Sequence, residues 1–305
     1  KLSIERIKLM NILYIGNKLN IHGFTPSGVE FLGNKLKEIA SNVTSVSDKK
    51  NSVLRLADMI KSILSNKKNT DYIIIDTFSS ASFYFAIICS SLSFLLNKKY
   101  ILILRGGRLP SRYKNSKVSF DFILKRCHTI VSPSLFLKKC FSNFGYNIKY
   151  VPNFIDLNNY PFKFRNYCEP KLFWVRSFHR TYNPILAIKV LSKLISSFPN
   201  ASLCMVGPEK DETMKNCKRL ANKLGIADHI RFMGLMKKED WIYLSKNYDI
   251  FLNTTNYDNQ PVSILEAMAL GFPIVSTNVG GLSALLENNE NAILVKKDDV
   301  EASKN

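Results

Sequence analysis

Short, continuously apolar runs alternate along this chain with longer segments whose apolar residues recur every three or four positions. The run 11–15, Asn-Ile-Leu-Tyr-Ile, reads as a first strand. It leads through a polar loop into a segment 28–40, where Val29, Leu32, Leu36 and Ile39 share one helical face. The same alternation predicts helix 52–65, strand 72–76, helix 81–96, strand 100–104, helix 119–126, strand 129–132, helix 134–143 and strand 148–151, with a short edge strand at 43–46. Runs such as 72–75 are apolar at every position, as strands of a parallel sheet must be when helices cover both faces. Between 153 and 170 the pattern lapses into Asn, Pro and aromatic residues, the composition of a linker. It then resumes with strand 171–175, helix 184–197, strand 202–206, helix 211–224, strand 230–233, helix 238–247, strand 249–253, helix 261–270 and strands 273–277 and 292–295.

The class is therefore α/β, with two doubly wound domains, 1–160 and 161–305, facing a cleft. At 305 residues the chain exceeds what one ordinary core organises. Ligands of such sheets bind beyond the carboxyl ends of the strands, so the loops after the strands are where chemistry is expected. The longest apolar window, 83–96, falls short of the roughly 20 residues of a spanning helix. Residues 1–6 are charged and no secretory signal is read there.

Composition adds two points. Six cysteines, with no spacing suited to a metal, read as free thiols in a reducing cytoplasm. The formal charge of +19 favours anionic partners: a nucleic acid, an anionic membrane leaflet or a dianionic small substrate. Lysine is scattered, however, which also fits a plain solvated surface.

The stretch 258–281, DNQPVSILEAMALGFPIVSTNVGG, carries the sharpest signal. Asp258, Asn259 and Gln260 form a polar loop, and Pro261 opens a helix whose apolar face is Val262, Ile264, Leu265, Met268 and Ala269. The N–H groups of Val262 and Ser263 lack intrahelical acceptors and sit at the positive end of the helix dipole, which suits a phosphate. Glu266, an acceptor of two hydrogen bonds, suits a ribose diol. The plainer reading makes Glu266 a solvated helix residue and Asp258 a turn former.

This stretch resembles the corresponding segment of glycosyltransferase family 4, retaining nucleotide-sugar-dependent enzymes of GT-B fold. The resemblance implies two Rossmann-like domains, an acceptor side in 1–160 and a nucleotide-sugar side in 161–305. It further implies a donor site at Gly207, Asn259, Gln260, Pro261, Val262, Ser263 and Glu266, and catalytic roles for Arg176, Arg180 and Asp258. Asp258 stands where the family usually has Glu, a side chain longer by about 1.5 Å. Arg176 matches the family's arginine after the first strand of the second domain. The lysine that usually follows is missing, and Arg180 is its nearest substitute. His179 is expected to be structural. In the first domain Gly23, Arg105, Gly106 and Gly107 mark the acceptor side. Arg105 replaces a histidine of many relatives, a role that would then be lost or pass to His22. The loop 110–117, with Arg112, Lys114 and Lys117, would meet a phosphorylated acceptor or an anionic membrane.

The expected function is sugar transfer from a nucleoside diphosphate sugar to a glycan or lipid-linked acceptor. No metal and no cofactor is expected, and the leaving phosphate would accept the proton. The expected location is the cytoplasm, peripheral on the inner face of the membrane. The family's further helices past Asp299 imply that the second domain is truncated at its C-terminal end. A GT-B-fold nucleotide-sugar 2-epimerase is the alternative. A nucleic-acid binder is the remote one, since no interleaved basic and aromatic module is present.

Overall fold

The computed structural model describes residues 10–22 and 27–299 and divides into two units, Lys1–Pro152 and Asn153–Asn305. The first contains β1 (Asn11–Ile15), α1 (Gly28–Lys37), β2 (Asn42–Val46), α2 (Ser52–Asn66), β3 (Tyr72–Thr77), α3 (Phe83–Leu95), β4 (Lys99–Leu104), α4 (Leu109–Asn115), α5 (Lys117–Arg126), β5 (Thr129–Ser132), α6 (Leu135–Asn143) and β6 (Ile148–Tyr150). Its sheet runs β2-β1-β3-β4-β5-β6, parallel throughout. Side chains alternate between two cores: Leu13 and Ile15 pack on one face, Ile12 and Tyr14 on the other. This double coverage is why the strands are apolar at every position.

The second unit contains β7 (Lys171–Val175), α7 (Pro184–Ile195), β8 (Ser202–Val206), α8 (Thr213–Lys223), β9 (Ile230–Gly234), α9 (Lys238–Leu244), β10 (Ile250–Asn253), α10 (Val262–Ala269), β11 (Ile274–Thr277) and β12 (Ile293–Val295). Its parallel sheet runs β12-β11-β10-β7-β8-β9, the doubly wound order of dinucleotide-binding folds. Leu172 and Trp174 enter one core and Phe173 the other.

Each sheet has a point where the winding reverses, and there the loops after adjacent strands part to leave a crevice. In the first unit it lies between β1 and β3. In the second it lies between β7 and β10, the strands that lead to Arg176 and to Asp258.

Two expectations need correction. Residues 110–117 are not a loop: α4 buries Leu109 and Tyr113, and Tyr113 stacks on Phe144 with ring centroids 4.3 Å apart. Pro261 precedes α10 in extended conformation instead of opening it, so the helix starts at Val262. The division between units also falls earlier than 160, because the segment after Pro152 is tied to the second unit. There Asn153 bonds Gln260, Tyr160 bonds Glu266, and Lys163 bonds the Leu270 carbonyl and Asp249. No helix of the described residues is long and apolar enough to cross a membrane. All six cysteines are free thiols.

Candidate active site

The site of the second unit grows out of two loops sewn together at the switch point. The Trp174 indole N–H donates to Thr254 Oγ1 over 3.0 Å, and Thr254 in turn donates to the Tyr182 carbonyl over 2.9 Å. Thr255 Oγ1 donates to the Thr181 carbonyl, and Thr277 Oγ1 donates to the Thr255 carbonyl at 2.6 Å. Buried hydroxyls thus hold the loop after β10 against the loop after β7, as their desolvation requires.

Within this frame Arg176 leaves the end of β7. Its Nη2 is ion-paired with Asp258 Oδ2, its Nη1 donates to Ser263 Oγ over 3.3 Å, and the guanidinium lies 4.1 Å above the Tyr182 ring. Its Nε is buried without an acceptor. Three of the residues expected from the sequence, Arg176, Asp258 and Ser263, therefore meet at the N-terminus of α10. Asp258 is held from the other side by the Asn259 N–H, which donates to Oδ1 at 2.8 Å.

Glycines set the spacing. A Cβ at Gly207 would lie 1.8 Å from the Arg176 carbonyl oxygen, one at Gly280 would lie 2.1 Å from that of Asp258, and one at Gly281 would lie 1.6 Å from that of Asn259. Only glycine lets these backbones touch.

Glu266 is 8% exposed, which rules out a solvated helix residue. Its Oε1 accepts the Tyr160 hydroxyl at 2.8 Å and lies 2.9 Å from Lys238 Nζ. Burial, and then the Glu266 charge, push the Tyr160 phenol far above its ordinary pKa, so it stays a donor. The buried stripe of α10 consequently runs through Ser263, Ile264, Glu266 and Ala267, while Val262, Leu265, Met268 and Ala269 of the expected face are only half buried. Gln260 is taken up locally: its Oε1 accepts the Asn153 N–H and its carbonyl accepts Asn153 Nδ2.

Arg180 does not join the cluster. Its backbone N–H donates to Asp211 Oδ2 at 3.2 Å, while its side chain is exposed and forms no hydrogen bond or ion pair with the described residues. His179 Nδ1 accepts the Thr181 N–H, and the ring lies edge-on to Tyr182. Tyr160, Tyr182 and Lys238 were missed in the sequence. An aromatic residue six positions after Arg176 was the one signal available for Tyr182.

In the first unit Arg105 is drawn inward at the β1/β3 switch point. Its Nε donates to Asp76 Oδ1 at 2.9 Å, its Nη2 donates to the Tyr14 hydroxyl at 2.9 Å, and that hydroxyl donates to Asp76 Oδ1 at 3.0 Å. Burial opposes the Arg105 charge, but Asp76 and Tyr14 outweigh it and raise its pKa. A Cβ at Gly28 would strike the guanidinium at 2.3 Å, so α1 begins directly on it. Gly106 packs on Ser79, where a Cβ would come within 2.6 Å of the backbone nitrogen, and Gly107 follows in the turn into α4. His22 is exposed, its Nε2 2.8 Å from the Asp48 carbonyl. Gly23 lies outside the described residues. Among the described residues no three His, Cys, Asp or Glu side chains converge as metal ligands would.

Residues 160–305 match the family model described as Glycosyl transferases group 1. An uncharacterized glycosyltransferase of Haemophilus influenzae is 31% identical over 115 residues, 37% of this chain and 31% of that protein. A D-inositol 3-phosphate glycosyltransferase of Corynebacterium urealyticum is 26% identical over 134 residues, 42% of this chain and 32% of that protein. These matches span about a third of the curated relatives' length. The crystal structure of Anabaena HepE in complex with UDP superposes with a TM-score of 0.75 at 16% identity, covering 96% of this chain and 87% of that one. The architecture is accordingly GT-B, two Rossmann-like units in one chain, and the segment similar to the glycosyl transferases group 1 model contains the whole Arg176–Asp258–Ser263 cluster.

Proposed function

We propose that this chain forms the body of a glycosyltransferase that moves a sugar from a nucleoside diphosphate sugar to a glycan or lipid-linked acceptor. The anomeric configuration would be retained, and no metal would take part. One observation carries the reading: Arg176, with a buried donor to spare, converges with Ser263 on the N-terminus of α10 at the sheet's switch point. A diphosphate there would accept hydrogen bonds from the guanidinium and from the N–H groups of Val262 and Ser263. Charge growing on the leaving diphosphate would meet fixed positive potential, stabilising the transition state more than the bound substrate. Asp258 neutralises Arg176 in the free protein. The diphosphate displaces it, and the carboxylate is released toward the transferred sugar. Glu266, held through one oxygen by Tyr160 and Lys238, would receive the ribose. Arg180 is near enough in sequence to close over the phosphates from the exposed side of the same loop.

The UDP bound by HepE makes uridine diphosphate the first nucleotide to test. Arg176→Ala should weaken UDP binding by about 1.5–3 kcal/mol, the loss of a charged hydrogen bond. Unchanged binding in a calorimeter would overturn the assignment. Mass spectrometry after incubation with a panel of nucleotide sugars and glycan acceptors would separate transfer, which adds a sugar to the acceptor, from epimerisation, which leaves the donor's mass unchanged. Placement at the periphery of an anionic membrane completes the proposal.

A further inference from the structure

Helix α3 carries no charged residue along its 13 positions. A helix apolar all round belongs in a core, yet only one side of this one is covered. Phe83, Ala86, Cys89, Ser90 and Ser93 face inward. Tyr84, Ile88 and Leu95, spaced so that they share one face, point outward at 59%, 38% and 78% exposure. The neighbouring helix α5 extends the surface with Val118, 85% exposed, and Phe122. Phe122 meets Phe94 of α3 edge-on, ring centroids 6.2 Å apart. Arg126 rims the patch, lying over Phe122 and Phe94 at 4.2 and 5.3 Å, whereas Arg112, over Phe83 and Tyr84 at 4.6 and 5.2 Å, turns inward and donates through Nη1 to the Ser79 carbonyl. The stacking of Arg126 lays its stem along the rings and leaves its charge at the edge of the apolar surface.

We infer that the α3–α5 face is a docking surface for an anionic lipid bilayer, with Tyr84, Leu95, Val118 and Phe122 entering the headgroup region. Charge selects the occupant. Between residues 83 and 126, with the enclosed Arg105 set aside, there are eight Lys or Arg residues against a single acid, Asp121. The Asp121 carboxylate is already taken by the hydroxyls of Tyr113 and Tyr146. A second copy docked here about a two-fold axis would bring the two basic rims together, which is unfavourable. A nucleic acid would use the rings and the arginines but would gain nothing from Leu95, Val118 and Ile88, whose aliphatic side chains dominate the exposed ridge. An anionic bilayer uses both, acyl boundary for the apolar ridge and headgroups for the rim. The inference names the surface for the membrane placement proposed above and is independent of the sugar chemistry.

The test is flotation of the full chain with phosphatidylglycerol vesicles and with phosphatidylcholine vesicles, at low and high salt, for wild type and for Tyr84→Ser/Leu95→Ser/Phe122→Ser. Circular dichroism and UDP calorimetry on the same samples establish that the variant is folded. Because three apolar side chains are lost, partitioning onto phosphatidylglycerol should fall about tenfold or more, while the salt dependence of the residual binding stays. Leu95→Ser alone, at an already exposed position, should give a smaller fall in the same direction. Wild-type protein that does not float, or a folded triple variant that floats as wild type does, overturns the inference. So does self-association in light scattering, or capture of single-stranded RNA, that the triple substitution abolishes while flotation is unchanged. Loss of sugar transfer with vesicle binding intact would overturn the proposed function and leave the docking face standing.

Discussion

Replacing Gly281 by alanine probes the packing on which the whole site depends. The added Cβ would lie 1.6 Å from the Asn259 carbonyl oxygen and 2.7 Å from its carbon, both backbone atoms that cannot swing aside. A carbon and a carbonyl oxygen approach to about 3.3 Å, so the Asn259 peptide must retreat by about 1.7 Å. Its retreat also strains the bond from the Gly281 N–H to the Asp258 carbonyl, 3.1 Å in the native protein. Asp258 and the entry into α10 move with it, and these carry the partner of Arg176 and the helix start. Overpacking of this kind costs about 1–3 kcal/mol of stability. A misplacement of about 1 Å among reacting groups lowers turnover roughly a hundredfold. Gly225→Ala is the control, because Gly225 has φ +68° but no atom within 4 Å of its Cβ position. It should lose about 1–2 kcal/mol through left-handed strain alone. Both variants are assayed by urea unfolding, by UDP calorimetry and by turnover of whichever donor the panel identifies. The two should be similarly destabilised, and only Gly281→Ala should lose binding and turnover. If Gly281→Ala binds UDP like the wild type, or Gly225→Ala loses as much function, the close packing of the Gly280–Gly281 pair does not set the site.

The ribose role proposed for Glu266 and the Asp211 carboxylate give two further expectations. Glu266→Gln keeps the shape but places a donor where Tyr160 and Lys238 already donate, so nucleotide affinity should fall by about 1–3 kcal/mol and discrimination against 2′-deoxy nucleotides should shrink; equal discrimination in both proteins would remove the ribose role. Burial works against the Asp211 carboxylate, but the hydroxyl and N–H of Thr213 and the N–H of Arg180 outweigh it and hold its pKa below the ordinary value. A depressed carboxylate stabilises the fold above its unfolded pKa, about 3.9, and that contribution is lost as pH falls through the lower folded value. The stability advantage of wild type over Asp211→Asn should therefore be constant above about pH 5 and shrink in more acidic solution. An advantage that does not change with pH would show that the charge of Asp211 contributes nothing.

The order and type of the elements were legible without coordinates, since the period of apolar positions is a local property. Strands buried on both faces need continuous apolar runs, and helices lying on them need a stripe. The stretch 258–281 likewise announced its loop, helix and glycine pair. What the chain could not announce is which strand lies beside which. Asp258 and Arg176 are 82 positions apart, and they meet because β10 returns beside β7 after the winding reverses. Arg105 looked like an open acceptor-side cation, and only the placement of β1, β3 and β4 side by side shows that Tyr14 and Asp76 enclose it. Glu266 carries no local mark of burial, because Tyr160 and Lys238 arrive from distant segments. Residues 110–117 read as loop because two turns with few apolar residues show no period to detect, and α4 forms because Tyr113 finds the rings of Phe120, Phe141 and Phe144. Helix α3 shows the converse limit: its sequence carries no charge on any side and its serines do not mark the outer face, so nothing in it distinguishes the face that enters the core from the face left outside. Local pattern determines what each segment becomes, whereas sheet order brings distant polar groups together and decides which of their charges are buried, paired or presented to a ligand.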